Sequence, residues 1–431
     1  MRLNPAPARV ALRRSLLALT GAVALVTALF SGVPVVKASS VIYVGMNKAS
    51  NVANTGCSAP RFGTQSYASD PDATIQAAIT FASEGDIVHI CQGTWNLSST
   101  AGERPINTSD HLNTNSKSIT LRGDGRDKTI LKANSYGRLI SSSDADGNNW
   151  EPLTFQNIEL QGGNVGWSGG AVAAFGVTCI NSDFVNNSAD AGRGGAIYSD
   201  GPVDIRSCRF IDNDATDDGG AIAVTTYPLT VSASTFTGNV SGECGGAIYV
   251  SNALGTVDKS QFERNTADSS GAYCGNFLGE LVVSGSVFRS NRALDDIGAV
   301  EAYEVTSSRN QFINNVADGA NGALQFCDGS LDRDTFQGNR SSTGYAALNA
   351  ACSLTGMSRT TFTRNIAGAG ASIAKISNAA QALRNTFSSN QMSRGSVVTV
   401  CSRDEMVAFL RQNTLKSNSG GPATEIVGCF G

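Results

Sequence analysis

Four acidic residues recur one per repeat in this 431-residue chain: Asp217, Glu243, Asp268 and Asp295. Asp218 and Asp296 stand beside two of them. Carboxylates at a fixed period support three chemistries. They are solvated turn acids, a Ca²⁺ site, since hard cations take several carboxylate oxygens, or an acid and base pair for glycoside cleavage. The catalytic candidates are Asp217, Asp218, Asp295 and Asp296. The metal candidates are Asp217, Glu243, Asp268 and Asp295, with Ca²⁺ as the cofactor. Like charges about 4.8 Å apart repel by about 0.9 kcal/mol in water, and by about 3.5 kcal/mol at an effective dielectric of 20. An exposed turn tolerates that cost, and a bound cation would relieve it.

What positions these acids is an internal repeat. The Phe of Phe-x-x-Asn falls at 184, 210, 236, 262, 288, 312, 336, 362 and 387, 24 to 26 residues apart. A Gly-Gly-Ala-apolar motif places Ala at 171, 196, 221, 247, 272, 299, 323, 347 and 371. Self-similarity at this period means stacked supersecondary units. Short apolar runs separated by Gly, Asn, Asp and Ser leave no room for a long helix. Propeller blades need longer repeats and leucine-rich repeats need Leu. The expected fold is all-β: a single-stranded right-handed parallel β-helix of about ten to thirteen coils, three strands per turn, with a short N-terminal capping helix. Residues equivalent by repeat then stack about 4.8 Å apart. That predicts an interior Phe column and an Asn column from Asn187 to Asn418. The asparagines would sit in turns, where Asn tolerates the left-handed conformation. Ten coils would span roughly 48 Å.

Counting from the motif Ala, position +1 is apolar in nearly every coil and faces inward. Position +2 then faces outward and holds Tyr198, Tyr249, Glu301, Gln325 and Asn349. Alternation would also turn the Ala outward. The result would be a flat shelf suited to an extended sugar chain, with Tyr198, Tyr249 and Glu301 as ligand contacts. The plainer alternative puts Ala at a corner and makes the tyrosines ordinary surface residues.

Composition limits the rest. Charged residues are 16% and the formal net charge is −4. No basic run occurs, which argues against nucleic acid as a partner. Arg2, Arg9, Arg13 and Arg14 precede an apolar run from Ser15 to Phe30, and small residues lead to Ala38. This reads as a signal peptide over 1–38, of the general secretory or twin-arginine kind. No second apolar stretch follows, so the mature chain is expected to be secreted or at the cell surface, monomeric, without a transmembrane segment. Ten cysteines in an exported chain imply disulfides. Cys57 with Cys91, Cys327 with Cys352, and Cys401 with Cys429 are the expected pairs. Cys179 with Cys208 and Cys244 with Cys274 match less well in phase.

Residues 39–159 read as an N-terminal cap and first irregular coils, and 160–431 as regular coils with a C-terminal cap. Val41 to Val44 is a strand. Asp70-Pro71 caps a helix whose stripe is Ile75, Ala78, Ile79 and Ala82. Asp144 to Asn149 is a loop, and Glu405 to Leu410 a small helical insertion.

Thr74-Ile75-Gln76-Ala77-Ala78-Ile79, Glu84-Gly85-Asp86-Ile87-Val88 and Gly93-Thr94-Trp95 resemble the entry segment of the pectate-lyase-like β-helix superfamily. The Gly-Gly-Ala-Ile and Phe-x-x-Asn copies resemble the repeats of chlamydial polymorphic outer membrane proteins. Both resemblances imply the β-helix. The first implies polysaccharide lyases and hydrolases, the second surface adhesins. No autotransporter translocator is expected after the coils. Lyases of the superfamily use a Lys or Arg beside bound Ca²⁺, and Arg193, Arg264, Arg289 and Arg292 fall near the acids without one standing out. His89 in the cap strand and His111 in an irregular loop cannot join the acids, so a polygalacturonase-type histidine site is not expected. The leading expectation is therefore non-catalytic binding or adhesion to a polysaccharide or cell-surface glycan. The alternatives are a Ca²⁺-dependent lyase or glycoside hydrolase along the acidic face, or a structural rod.

Overall fold

The computed structural model describes residues 39–46, 56–63, 71–98, 110–142, 150–276 and 278–426. The signal peptide over 1–38, Asp70, the loop from Asp144 to Asn149 and Cys429 lie outside them. The described chain winds into an all-parallel β-solenoid of about 11 turns. One turn shows the plan: Val172–Ala174, Val177–Ile180, Asp183–Val185 and Ser188–Ala189. Each pairs in parallel with its equivalent one turn later. The first two belong to one sheet, and the third and fourth to two others. The expected three strands per turn are therefore four in the early coils, because a bend at Gly176 and its equivalents divides the first. From Val300–Ser308 through Tyr345–Ser358 that bend is gone and the first two merge into one strand.

The Phe column is the centre of the core. Phe184 to Phe387 are wholly buried. Successive rings lie 4.3–5.1 Å apart and within 9° of parallel. This near-parallel stack is set by the strand spacing, not by the edge-on geometry that free aromatic pairs also favour. Both ends switch to edge-on contact. Phe155 meets Phe184 at 83°, and Phe409 meets Phe387 at 68°. Phe409 lies on helix α2 (Arg403–Gln412), the insertion expected near Glu405. Ser402 caps it by accepting from the Glu405 amide at 3.2 Å. Helix α1 (Pro71–Phe81) covers the first coil with Ile75, Ala78 and Ile79 fully buried. Lys117 Nζ donates to the carbonyls of Ile79, Thr80 and Ala82 at its C-terminus. Gly93–Leu97 pairs with Thr129–Ala133, and that strand with Glu159–Gln161, so stacking runs unbroken through position 160. His111, expected in a loop, lies in the strand Asp110–Asn113.

The Asn column differs from its expected geometry. The residue in the left-handed region is the one before each Asn: Asn186, Asp212, Arg264, Ser290, Asn314 and Arg364 all have φ between 51° and 55°. The Asn itself points inward. Asn239 Nδ2 donates to Asn265 Oδ1 at 2.9 Å and to the Phe210 carbonyl at 3.1 Å. Its Oδ1 accepts the Asn213 amide N–H at 3.0 Å and Asn213 Nδ2 at 2.9 Å. Each buried amide thus satisfies backbone groups that the turn would leave unpaired.

A second inward column precedes the Phe strand and runs Ser234, Ser260, Ser286, Asn310, Asp334, Thr360 and Asn385. Its oxygens accept the amide of the preceding coil, as from Asn310 to Asp334 Oδ1 at 2.7 Å. Asn310 and Asn385 also donate to backbone carbonyls. Asp334 cannot do so when ionised, and its buried Oδ2 has no partner. Burial pushes its carboxyl up to about 7, against the Asn310 bonds that lower it.

Replacing Asn239 by Ala should unpair the Asn213 amide and side chain, costing about 2–5 kcal/mol in urea denaturation; Asn239→Asp should be no better, because a carboxylate cannot donate. Asp334 has its folded pKa raised above the unfolded value. Its stabilising contribution is present below about pH 4 and is lost as pH rises through about 7. Asp334→Asn should therefore raise the melting temperature at pH 8 and flatten the fall in stability between pH 4 and 8, read by calorimetry across that range.

Candidate functional site

Position +2 of the repeat forms one outward column by register: Ala173, Tyr198, Ala223, Tyr249, Cys274, Glu301, Gln325, Asn349 and Lys375. Tyr198, Tyr249 and Glu301 are therefore aligned as expected. The shelf of alanines is not there. The motif alanines, from Ala171 to Ala347, are wholly buried in the main core. The cause is the turn before them. The first motif Gly is left-handed, with φ of 65–78° at Gly169, Gly194, Gly219 and Gly245. The second lies so close to the next coil that a Cβ on Gly195 or Gly220 would meet a backbone oxygen at 2.2 Å. This tight corner tucks the Ala inside.

Tyr249 does not stand on a platform either. It is only 7% exposed. Its ring packs with Ala223 and Cys274, and the Arg193 guanidinium lies 5.3 Å from its centre. Tyr198 is half-buried, with its hydroxyl donating to Asp200 at 2.9 Å.

The acids occupy the turn beside this column. Asp218 is buried and pairs with Arg193 Nε at 2.9 Å. Burial still holds its carboxyl above the ordinary range, with Arg193 opposing. Asp217 is half-buried, and Glu243, Asp268, Asp295 and Asp296 are exposed. Their backbones stack, as where the Asp268 carbonyl accepts the Asp295 amide at 2.9 Å. Among the described residues, three or more acidic, His or Cys donor atoms come within 4.8 Å in two places, Cys57, His89, Cys91 and Asp124, and Cys244, Cys274 and Glu301. The acidic stripe is neither. Disulfides join Cys57 to Cys91, Cys179 to Cys208, Cys244 to Cys274 and Cys327 to Cys352. The second and third of these bridge coils despite their phase offset, because one partner lies in a bend. Cys401 is also disulfide-bonded; Cys429, its expected partner, is outside the described residues.

What repeat counting missed is a polar network around Glu301. Ser270 Oγ donates to Glu301 Oε2 at 3.1 Å, and Gln325 Nε2 to its Oε1 at 3.3 Å. Asn321 Nδ2 and Asn349 Nδ2 both donate to Gln325 Oε1, at 2.5 and 2.9 Å. The buried Oδ1 atoms of Asn321 and Asn349 accept nothing from the protein. Burial raises the Glu301 carboxyl, its two hydrogen bonds lower it, and the charge of Asp296 raises it further. A signal for this network exists in the sequence. Ser270, Ile297, Asn321 and Tyr345 stand where the first motif Gly stood, so the repeat breaks at the coils that build it.

Two stretches, residues 181–200 and 233–251, match the chlamydial polymorphic membrane protein repeat. Each covers an arc from the Phe-x-x-Asn turn to the Gly-Gly-Ala-Ile strand. No curated protein matches the chain. Among solved structures, the tailspike protein of E. coli bacteriophage HK620 in complex with a pentasaccharide is 15% identical over 83% of this chain and 76% of its own, with a TM-score of 0.35. The A-module of a mannuronan C-5 epimerase of Azotobacter vinelandii is 12% identical over 83% and 92%, with a TM-score of 0.34. No helix among the described residues is long and apolar enough to cross a membrane.

Arg193 locks one turn to the next through Asp218. Arg193→Ala should leave Asp218 buried without its cation and uncover Tyr249, at a cost of about 1–3 kcal/mol. Adding Asp218→Asn should recover most of that loss in a double-mutant cycle.

Proposed function

We propose that this is a secreted or cell-surface β-helix protein that binds glycans along the outward column from Tyr198 to Lys375, without chemistry on them. One observation carries the reading: a hydrogen-bonded row of the Glu301, Gln325 and Asn349 side chains in successive coils. Sugar hydroxyls are donors, and a row of amides and a carboxylate one coil apart matches hydroxyls presented along an extended chain. Gln325 and Asn349 hold each other in place, so the row is preorganised. Export is supported by the disulfide state, since every cysteine among the described residues is bonded, as in oxidising compartments. In titrations against a panel of neutral and acidic polysaccharides, at least one should bind, and Asn349→Ala or Glu301→Ala should weaken it about tenfold, the effect of one lost hydrogen bond of about 1.4 kcal/mol. Absence of binding across the panel, or full affinity in both variants, would sink the reading.

A second reading is a glycoside hydrolase or Ca²⁺-dependent polysaccharide lyase. It is favoured by the raised carboxyl of Glu301, which Asp296 pushes further up. A general acid needs a carboxyl whose pKa is raised, and burial acts on Glu301 in that direction. Release of reducing or unsaturated sugar ends, abolished in Glu301→Gln or by a chelator, would establish this reading over the first.

A further inference from the structure

One corner of the coil holds a column of left-handed residues, one per turn, that includes Asn157, Asn181, Lys259 and Gly285. Its last four members are Arg309, Arg333, Arg359 and Arg384, with φ between 54° and 60°. Their registers place them directly over one another, each amide bonding to the next coil. Left-handed backbone suits Gly and Asn, and this same column uses both in other coils. Arginine there carries backbone strain. Stacked guanidinium groups about one coil spacing apart add like-charge repulsion. Folding needs neither. The strain is shared by Ser207, Ala233 and Lys259 in the same column; the run of four like charges is particular to these coils.

All four arginines are exposed. Asp332 is the acid that partly offsets them, 2.9 Å from Arg359 and 3.5 Å from Arg333. Arg309 and Arg384 make no ion pair among the described residues. A second observation lies at the C-terminal end of the column. A cavity of about 450 Å³ opens there, lined by Ser358, Arg359, Leu383, Arg384 and Gln412. Two guanidinium groups, a hydroxyl, an amide and one apolar side chain suit a sugar ring that carries an anion.

We propose that this corner binds a linear polysaccharide bearing carboxylate or sulfate groups, laid along the column with successive anions on successive arginines. The arginine fork pairs with such anions through two parallel hydrogen bonds. The column holds no aromatic residue on which bases could stack, which argues against a single-stranded nucleic acid. The site is separate from the Glu301 face, and either can fail without the other.

The test titrates the full chain with dextran sulfate, polygalacturonate, unmodified dextran, double-stranded DNA and phosphatidylglycerol vesicles at two salt concentrations. At least one of the two anionic polysaccharides should bind, more weakly at high salt, and dextran should not. The triple variant Arg333→Asn, Arg359→Asn and Arg384→Asn should lose about a hundredfold in affinity, from the loss of charge-assisted contacts. Its melting temperature should hold or rise, because Asn suits the left-handed corner. Arg364→Asn, at the left-handed turn position of the other corner, should bind as the parent does. Unchanged affinity in the triple variant, equal binding of dextran, or tighter binding of DNA or vesicles would overturn the proposal.

Discussion

Parallel strands in this chain hydrogen-bond to their equivalents one turn away, and the spacing of about 4.8 Å is imposed on every side chain. Nothing in the repeat escapes it. The phenylalanines stack because the strands that carry them are that far apart. The asparagines bond from turn to turn because an amide is long enough to reach across the same gap. Each coil buries its inner face only against its neighbours, so the stability of the whole is a sum of such contacts. The ends need separate treatment, and α1 and Phe409 of α2 supply it.

The same constraint has opposite consequences inside and outside. Inside, a column must be apolar or able to donate and accept in turn. Ser, Thr and Asn meet that demand. Asp334 meets it only when protonated, which is why burial raises its carboxyl so far. Outside, columns concentrate whatever the sequence repeats. Tyr198 to Lys375 becomes a polar row on one face, and Arg309 to Arg384 a row of cations at one corner. Neither row is a motif in the linear text. Each arises because residues 24 to 26 apart become neighbours.

Several expectations failed for one reason, which is that period does not specify direction at a corner. Alternation placed the motif Ala outward, yet the left-handed Gly two residues before it turns the chain and buries it. Asn was expected to occupy the left-handed position, but the residue before it does. Tyr249 was assigned an open face, and Arg193 from two coils earlier covers it. The Glu301 network was partly visible, since Glu301, Gln325 and Asn349 share one phase. Asn321 was legible only as a break in the glycine motif, since its contact with Gln325 depends on the fold.

By itself the sequence determined the coil, its period, the Phe and Asn columns, the capping helices and the cysteine pairs closest in phase. These depend on local pattern and on one translation, both of which a linear text contains. The tertiary structure decided which residues at each corner face in, which charges meet, and where acceptors are left over. Those depend on backbone dihedrals at the turns and on contacts between coils, and a repeat length carries neither.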